Sequence, residues 1–157
     1  VFMICLFFAL CILGLDLFVK KQIEAREDAA FPVVLAGGFI LEKHHNYGFM
    51  LNRLDRHPKL VRIVSLLTFL PLLGWFLWLL VKKDSGAARF GAACLAGGAA
   101  SNLYDRLSRG YVVDYLRLPM KKGGHMRQII RHVIFNIADL FIFLGGAFTA
   151  LYSLLKK

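Results

Sequence analysis

Four long apolar blocks divide this chain of 157 residues. They cover residues 1–19, 60–81, about 87–107 and 133–155, and each is close to the ~20 residues that cross a bilayer core as a helix. No internal repeat or low-complexity linker separates a second domain. The pattern predicts an all-α membrane protein with four transmembrane helices and one domain, 1–157. We expect the first span to begin upstream of Val1, because neither an initiator Met nor a basic flank precedes it.

The connecting segments differ in length and pattern. Residues 82–89 are a short connection, whereas residues 20–59 and 108–132 are longer and are expected on the side of the membrane opposite both chain ends. Residues 20–30 are predicted to form a short polar helix. Residues 33–51 carry two β-prone runs around Gly37 and Gly38, which predicts a small β-hairpin. A lone hairpin is only marginally stable, so it should rest on the membrane surface or the span ends.

Composition supports a membrane location and narrows the expected partners. Hydrophobic residues make up 58% of the chain, against roughly 45–50% in a soluble protein. The net charge is +10, but the cations flank the apolar blocks, so we expect membrane lipid and not nucleic acid as a partner. The long segments hold most of these cations, and the positive-inside rule alone would place them in the cytoplasm. The Cys residues lie in apolar blocks, which predicts buried thiols rather than disulfides.

Two carboxylates stand out by their positions. An Asp at a span centre costs roughly 3 kcal/mol, more than the ~0.6 kcal/mol of one interhelical hydrogen bond, yet Asp139 lies in the apolar run IADLFIFL. Asn136 should share a helical face with it. Asp114 follows an apolar pair just past the third block, so it should meet Asp139 at one end of the bundle. Two adjacent carboxylates with little water do not both ionise, which leaves a base beside an acid, as peptide-bond hydrolysis requires.

The residues alone leave other chemistry open. The two acids could coordinate a cation together with His44 or His45, or they could relay protons in a small carrier. The lack of an inverted repeat makes a carrier the second choice. A third interpretation is an inactive relative that binds lipidated proteins.

Other polar residues near the span ends have simple structural interpretations. Asp16 and Lys20 lie four residues apart and are expected to form an interfacial ion pair. Asn102 and Arg106 have the same spacing and are typical of a capped helix end. Asn46, in HHNYGF, is typical of a turn.

These residues resemble the motifs of the lipoprotein signal peptidases, also called signal peptidase II. GGAASNLYDRLSRGYVVDYL, residues 97–116, is similar to that family's Gly-Gly, Asn-Leu-x-Asp-Arg and Val-Val-Asp signature. FNIADL at 135–140 is similar to its second aspartate motif, and LDLFVK at 15–20 and NYG at 46–48 resemble its first-span and loop motifs. The resemblance covers all four predicted spans in order.

The resemblance implies an intramembrane aspartyl endopeptidase that cleaves diacylglyceryl-modified prolipoproteins on the N-terminal side of the lipidated cysteine. It implies that Asp114 and Asp139 are the catalytic pair. The residues expected to bind substrate or support the pair are Asn46, Asn102, Arg106, Asn136, Asp16 and Lys20. It also implies a monomer in the bacterial cytoplasmic (inner) membrane with its site facing outward. We prefer this orientation to the one given by the positive-inside rule, because the substrate is exported. No metal or other cofactor is expected, since no convincing His ligand spacing is present.

The chain departs from the family pattern at several positions. GFML follows the loop Asn in place of the usual Gly-Ala-Ala-Phe, Leu140 stands where Ser is common, and Ser101 replaces a usual Gly. Residues 117–132 are longer and more basic than typical, and a solvated loop is favoured over a site for anionic lipid. The divergence indicates a remote lineage or an altered substrate preference.

Overall fold

Four long helices and a small sheet form the computed structural model, which describes residues 2–49, 54–82, 86–119 and 133–155. Within these residues the helices are α1 (Phe2–Glu24), α2 (Pro58–Val81), α3 (Gly86–Ser108) and α4 (Ile137–Leu155). Two predicted bounds were wrong. α1 continues to Glu24 and is followed only by a short 3-10 helix (Asp28–Ala30), in place of the predicted polar helix at 20–30. α4 begins at Ile137 rather than at residue 133.

α3 differs from the other long helices in composition and position. Three of the described helices, α1, α2 and α4, are long and apolar enough to cross a membrane. α3 has 23 residues but is built largely from Gly, Ala and polar side chains, and it contacts each of the other three. Its Ala92 and Ala93 are fully buried, whereas Phe7, Leu67 and Phe143 on the surrounding helices are exposed. The hydropathy of the described residues therefore supports three of the four predicted spans. The fourth, α3, is less apolar because it packs against protein on three sides.

Two glycines set how closely α3 packs. A Cβ on Gly97 would lie 2.6 Å from the carbonyl oxygen of Ala9 in α1, and a Cβ on Gly98 would lie 2.5 Å from that of Ala138 in α4. Any larger side chain would push these helices apart, as expected where small residues form a helix interface. This close approach brings Asn102, one turn after Gly98, near both helices.

A four-stranded antiparallel sheet covers one end of the described helices. Its strands, in spatial order, are β1 (Val33–Val34), β2 (Ile40–Asn46), β3 (Val112–Arg117) and β4 (Ile134–Phe135). The predicted hairpin is confirmed as β1 and β2, with Gly37 and Gly38 between them at φ 83° and 82°. β3 and β4 were not predicted. Residues 50–51 of the predicted hairpin and 120–132 of the predicted basic loop lie outside the described residues.

β3 is anchored to the ends of two helices. Val113 and Tyr115 are buried together with Ile23 near the end of α1. The Tyr115 hydroxyl donates to Asp16 Oδ1 (2.8 Å) and accepts the backbone N–H of Ile137, the first residue of α4 (3.1 Å). The strand also contacts α3. Asp114, between the two buried strand residues, is therefore held where α1 and α3 end and α4 begins.

Candidate active site

Asn136 links two acidic side chains at the start of α4. Its Nδ2 donates to Asp114 Oδ1 (2.7 Å), and its backbone N–H donates to Asp139 Oδ2 (3.1 Å). The Asp139 N–H donates in return to Asn136 Oδ1 (2.9 Å), which makes a reciprocal capping box with Asn136 as the N-cap. Asn136 is therefore the residue just before the helix, and it contacts Asp139 three residues later, as the spacing predicted. The structure does bring Asp114 and Asp139 to the same asparagine.

The capping box explains how an apolar run accommodates Asp139. The residue lies in the first turn of α4, where free backbone N–H groups and the helix dipole favour a carboxylate. Its other oxygen, Oδ1, accepts a hydrogen bond from Asn102 Nδ2 of α3 (2.8 Å). Asp139 thus occupies a helix start and not the middle of a span, so the cost for a span centre does not apply.

Asp114 is buried on β3, with 3% of its surface exposed. Besides the bond from Asn136, its Oδ2 accepts Asn46 Nδ2 (3.0 Å), while Asn46 Oδ1 accepts the Gly48 N–H (3.0 Å) and so holds the amide in this orientation. Burial and, next, the negative charge of Asp139 raise the pKa of Asp114 to about 7, against the opposing effect of its two amide donors. Asp114 can therefore hold or release a proton near neutral pH.

Asp16 and Lys20 form a buried ion pair rather than the predicted interfacial one. Both side chains are fully buried, and Lys20 Nζ lies 2.7 Å from Asp16 Oδ2 and 3.0 Å from Asp105 Oδ2. The ammonium also donates to Asn102 Oδ1 (2.9 Å). Ser101 donates its hydroxyl to Asp16 Oδ2 (2.6 Å). α1 and α3 are thus joined by a buried polar cluster beside the two acids.

Arg106 connects the end of α3 to the loop after β2. Its Nη2 donates to the carbonyl oxygen of Gly48 (3.0 Å), and its Nη1 lies 3.5 Å from the carbonyl oxygen of Asn102. Phe49, part of the GFML departure, places its ring 5.6 Å from the Arg106 guanidinium carbon. Asn46, the last residue of β2, binds Asp114, so the strand end contacts one of the two acids and the loop that follows it contacts Arg106.

Three residues that contact the buried polar cluster beside the two acids were not among the predicted site residues. Tyr115 is the hydroxyl link between α1 and α4, and nothing in VVDYL distinguishes it from a core aromatic. Ser101 appeared only as a departure from the family pattern, and Asp105 only within the Asn-Leu-x-Asp-Arg motif. Asp105 binds Lys20, Arg109 (2.9 Å) and the Val113 N–H (3.2 Å). The spacing could have indicated Asp105, because it lies one helical turn from other polar residues of α3 and therefore shares their face.

The two histidines considered as cation ligands differ in their surroundings. His45 Nε2 lies 2.7 Å from Glu24 Oε1, and its ring centroid lies 4.2 Å from that of Tyr111, with the rings tilted by 33°. His44 is paired with Asp114 across β2 and β3. Because neighbouring strand residues point to opposite faces, only His44 is on the same face as Asp114. Burial lowers the pKa of His44, which favours its neutral form.

Comparisons of sequence agree with the resemblance seen in the motifs. The family model described as signal peptidase (SPase) II matches residues 8–155. A lipoprotein signal peptidase of Caldicellulosiruptor bescii is 30% identical over 151 residues, which cover 93% of this chain and 90% of the relative. The corresponding protein of Allorhizobium ampelinum is 31% identical over 150 residues, 94% of this chain and 86% of the relative. That of Brucella ovis is 28% identical over 153 residues, 96% and 89%.

Solved structures also share the fold. A bacterial membrane enzyme structure determined by the in meso method at 2.3 Å resolution has a TM-score of 0.75 and 21% identity, and it covers 97% of this chain and 87% of its own. A second, at 1.9 Å resolution, has the same TM-score and identity, with coverages of 98% and 93%. At this identity the likeness concerns the fold alone.

Proposed function

The chain belongs to the signal peptidase II family, and we propose that it is an aspartyl endopeptidase acting on diacylglyceryl-modified prolipoproteins. It removes the signal peptide on the N-terminal side of the lipidated cysteine. The observation that carries this proposal is that Asp114 and Asp139 meet at Asn136 and accept hydrogen bonds from amides. Within the described residues, the buried acids Asp16 and Asp105 are paired with cations instead. The proposed catalytic acids are therefore the buried Asp114 and the partly buried Asp139, which share Asn136 and form no ion pair among the described residues.

Hydrolysis uses these two carboxylates in opposite protonation states. The ionised one takes a proton from water as the water oxygen adds to the scissile carbonyl carbon, and the protonated one gives its proton to the carbonyl oxygen. When the C–N bond breaks, the first carboxylate gives its proton to the leaving amine. The second carboxylate takes back one hydroxyl proton, so both end as they began. The support residues Asn46, Asn102 and Asn136 orient the carboxylates, and Arg106 lies beside the substrate backbone.

We place the enzyme as a monomer in the bacterial cytoplasmic (inner) membrane, with α3 as its fourth span. The end that holds the sheet and the two acids faces outward, and both chain ends face the cytoplasm. This orientation is supported by the substrate, because a prolipoprotein reaches the enzyme after export with its signal helix and acyl chains still in the bilayer. A site at the ends of several helices can receive the scissile bond without extracting those apolar parts.

Mass spectrometry of a purified cleavage reaction tests the proposal. The protein is incubated in detergent with a diacylglyceryl-modified prolipoprotein, and the expected product is the signal peptide ending just before the lipidated cysteine. The same substrate without the lipid is the matched control and should remain uncut. An intact lipidated substrate, together with proton uptake into proteoliposomes, would favour the carrier instead.

A further inference from the structure

Lys20 reaches the proposed catalytic pair through a single side chain. Its Nζ donates to Asn102 Oδ1 (2.9 Å), and Asn102 Nδ2 donates to Asp139 Oδ1 (2.8 Å). Asn136 Nδ2 is a second donor to Asn102 Oδ1 (3.2 Å). These two donors permit one orientation of the Asn102 amide, because a flip would set its NH2 group against an ammonium group and another amide donor.

We propose that Lys20 is a positioning residue that acts through Asn102 and makes Asp139, rather than Asp114, the general base of the pair. This inference rests on the proposed function. A charged donor on Oδ1 polarises the amide, so its Nδ2–H becomes a stronger donor to Asp139. The start of α4 adds to this stabilisation of a negative charge. Asp114 lies on a buried strand and accepts hydrogen bonds from neutral side-chain amides. Its pKa of about 7 agrees with the role of the acid.

The other charged groups around this chain of bonds must be included in its test. Besides Lys20 and Asp139 themselves, the charged and titratable groups are Asp16 on α1, His44 on β2, Asp105 and Arg106 on α3, and Asp114 and Tyr115 on β3. Asp16 and Asp105 hold the ammonium on its other sides, and Arg109 pairs with Asp105. Removing Lys20 alone would leave these acids short of one cation, and an uncompensated buried charge is strongly destabilising.

The test therefore uses the double variant Lys20→Met/Asp16→Asn, which removes one charge of each sign. It deletes the donor to Asn102 and keeps the pairing of Asp105 with Arg109. The matched control is Ser101→Ala, which removes a hydroxyl 3.3 Å from Lys20 Nζ but leaves the bond from Lys20 to Asn102. Both variants are purified in detergent, checked for a wild-type elution profile, and assayed for cleavage of the lipidated substrate across pH.

We expect kcat of the double variant to fall roughly tenfold or more, with KM changed less than about threefold, since the bond acts on the reacting carboxylate and not on binding. The acidic limb of the pH–rate profile should also move to higher pH, and that of Ser101→Ala should stay in place. An unchanged kcat in the double variant, a loss without movement of the limb, or an equal movement in Ser101→Ala would overturn the role of Lys20. Wild-type protein that cleaves no lipidated substrate would overturn the proposed function as well.

Discussion

Replacing Asn136 separates two tasks that the structure gives to one side chain. Asn136 caps α4 through Oδ1 and holds Asp114 and Asn102 through Nδ2. Asn136→Ala removes both tasks, whereas Asn136→Ser keeps a good N-cap and loses the amide donor. Loss of the cap costs about 1 kcal/mol of unfolding free energy, so the melting temperature should fall in the Ala variant and largely recover in the Ser variant. A lost hydrogen bond to an acidic group, about 1.5–3 kcal/mol, corresponds to a kcat lowered roughly 10- to 150-fold in both.

Two measurements on these variants separate the helix cap from the hydrogen bond to Asp114. Thermal unfolding in detergent measures the cap, and cleavage of the lipidated substrate at saturating concentration measures the effect on the pair. If Asn136→Ser restores kcat along with stability, the amide bond to Asp114 does not serve catalysis. If both variants are equally unstable, the capping box contributes little and α4 is held by its packing against α3.

Four further predictions concern the two acids and the chemistry. Asp114→Asn and Asp139→Asn should each abolish cleavage while the melting temperature holds or rises slightly, because like-charge repulsion is relieved; near-normal turnover would exclude that residue from the pair. With the folded pKa of Asp114 raised to about 7, its acid form is lost as pH rises through that value, so kcat/KM should decline above pH 7. Because this pKa is higher in the folded state, the folded protein binds the proton of Asp114 more tightly than the unfolded chain does. The free energy of unfolding should therefore fall from about pH 4 to pH 7 in the wild type, and it should fall less in Asp114→Asn. Cleavage should persist in excess EDTA, and complete loss that zinc restores would contradict a mechanism without metal.

Hydropathy predicted α1, α2 and α4 because their apolar residues are contiguous. The position of Asp114 past the third block predicted that it would meet Asp139. The second half of the sheet was missed for a physical reason. Val112, Val113, Asp114 and Tyr115 are all buried, so the strand has no alternation of apolar and polar residues. The buried cluster was also missed, because the spacing of Asp16 and Lys20 shows only a local pair. Its burial depends on Asp105 from α3, which is distant in sequence.

The placement of the acids gives a reason for the sheet at the end of this helical protein. Asp16 and Asp105 form ion pairs with Lys20 and Arg109. These pairs hold the two acids in place, and their negative charge is already compensated by a cation. A carboxylate that must exchange protons needs stabilisation without a bound cation, and a helix start provides it for Asp139 through backbone N–H groups. A second carboxylate on the same helix turn would compete for those donors. β3 instead brings Asp114 from another part of the chain, on a strand whose backbone is already hydrogen-bonded to its neighbours. The helix start and the strand together hold two uncompensated acids side by side, which neither element would achieve alone.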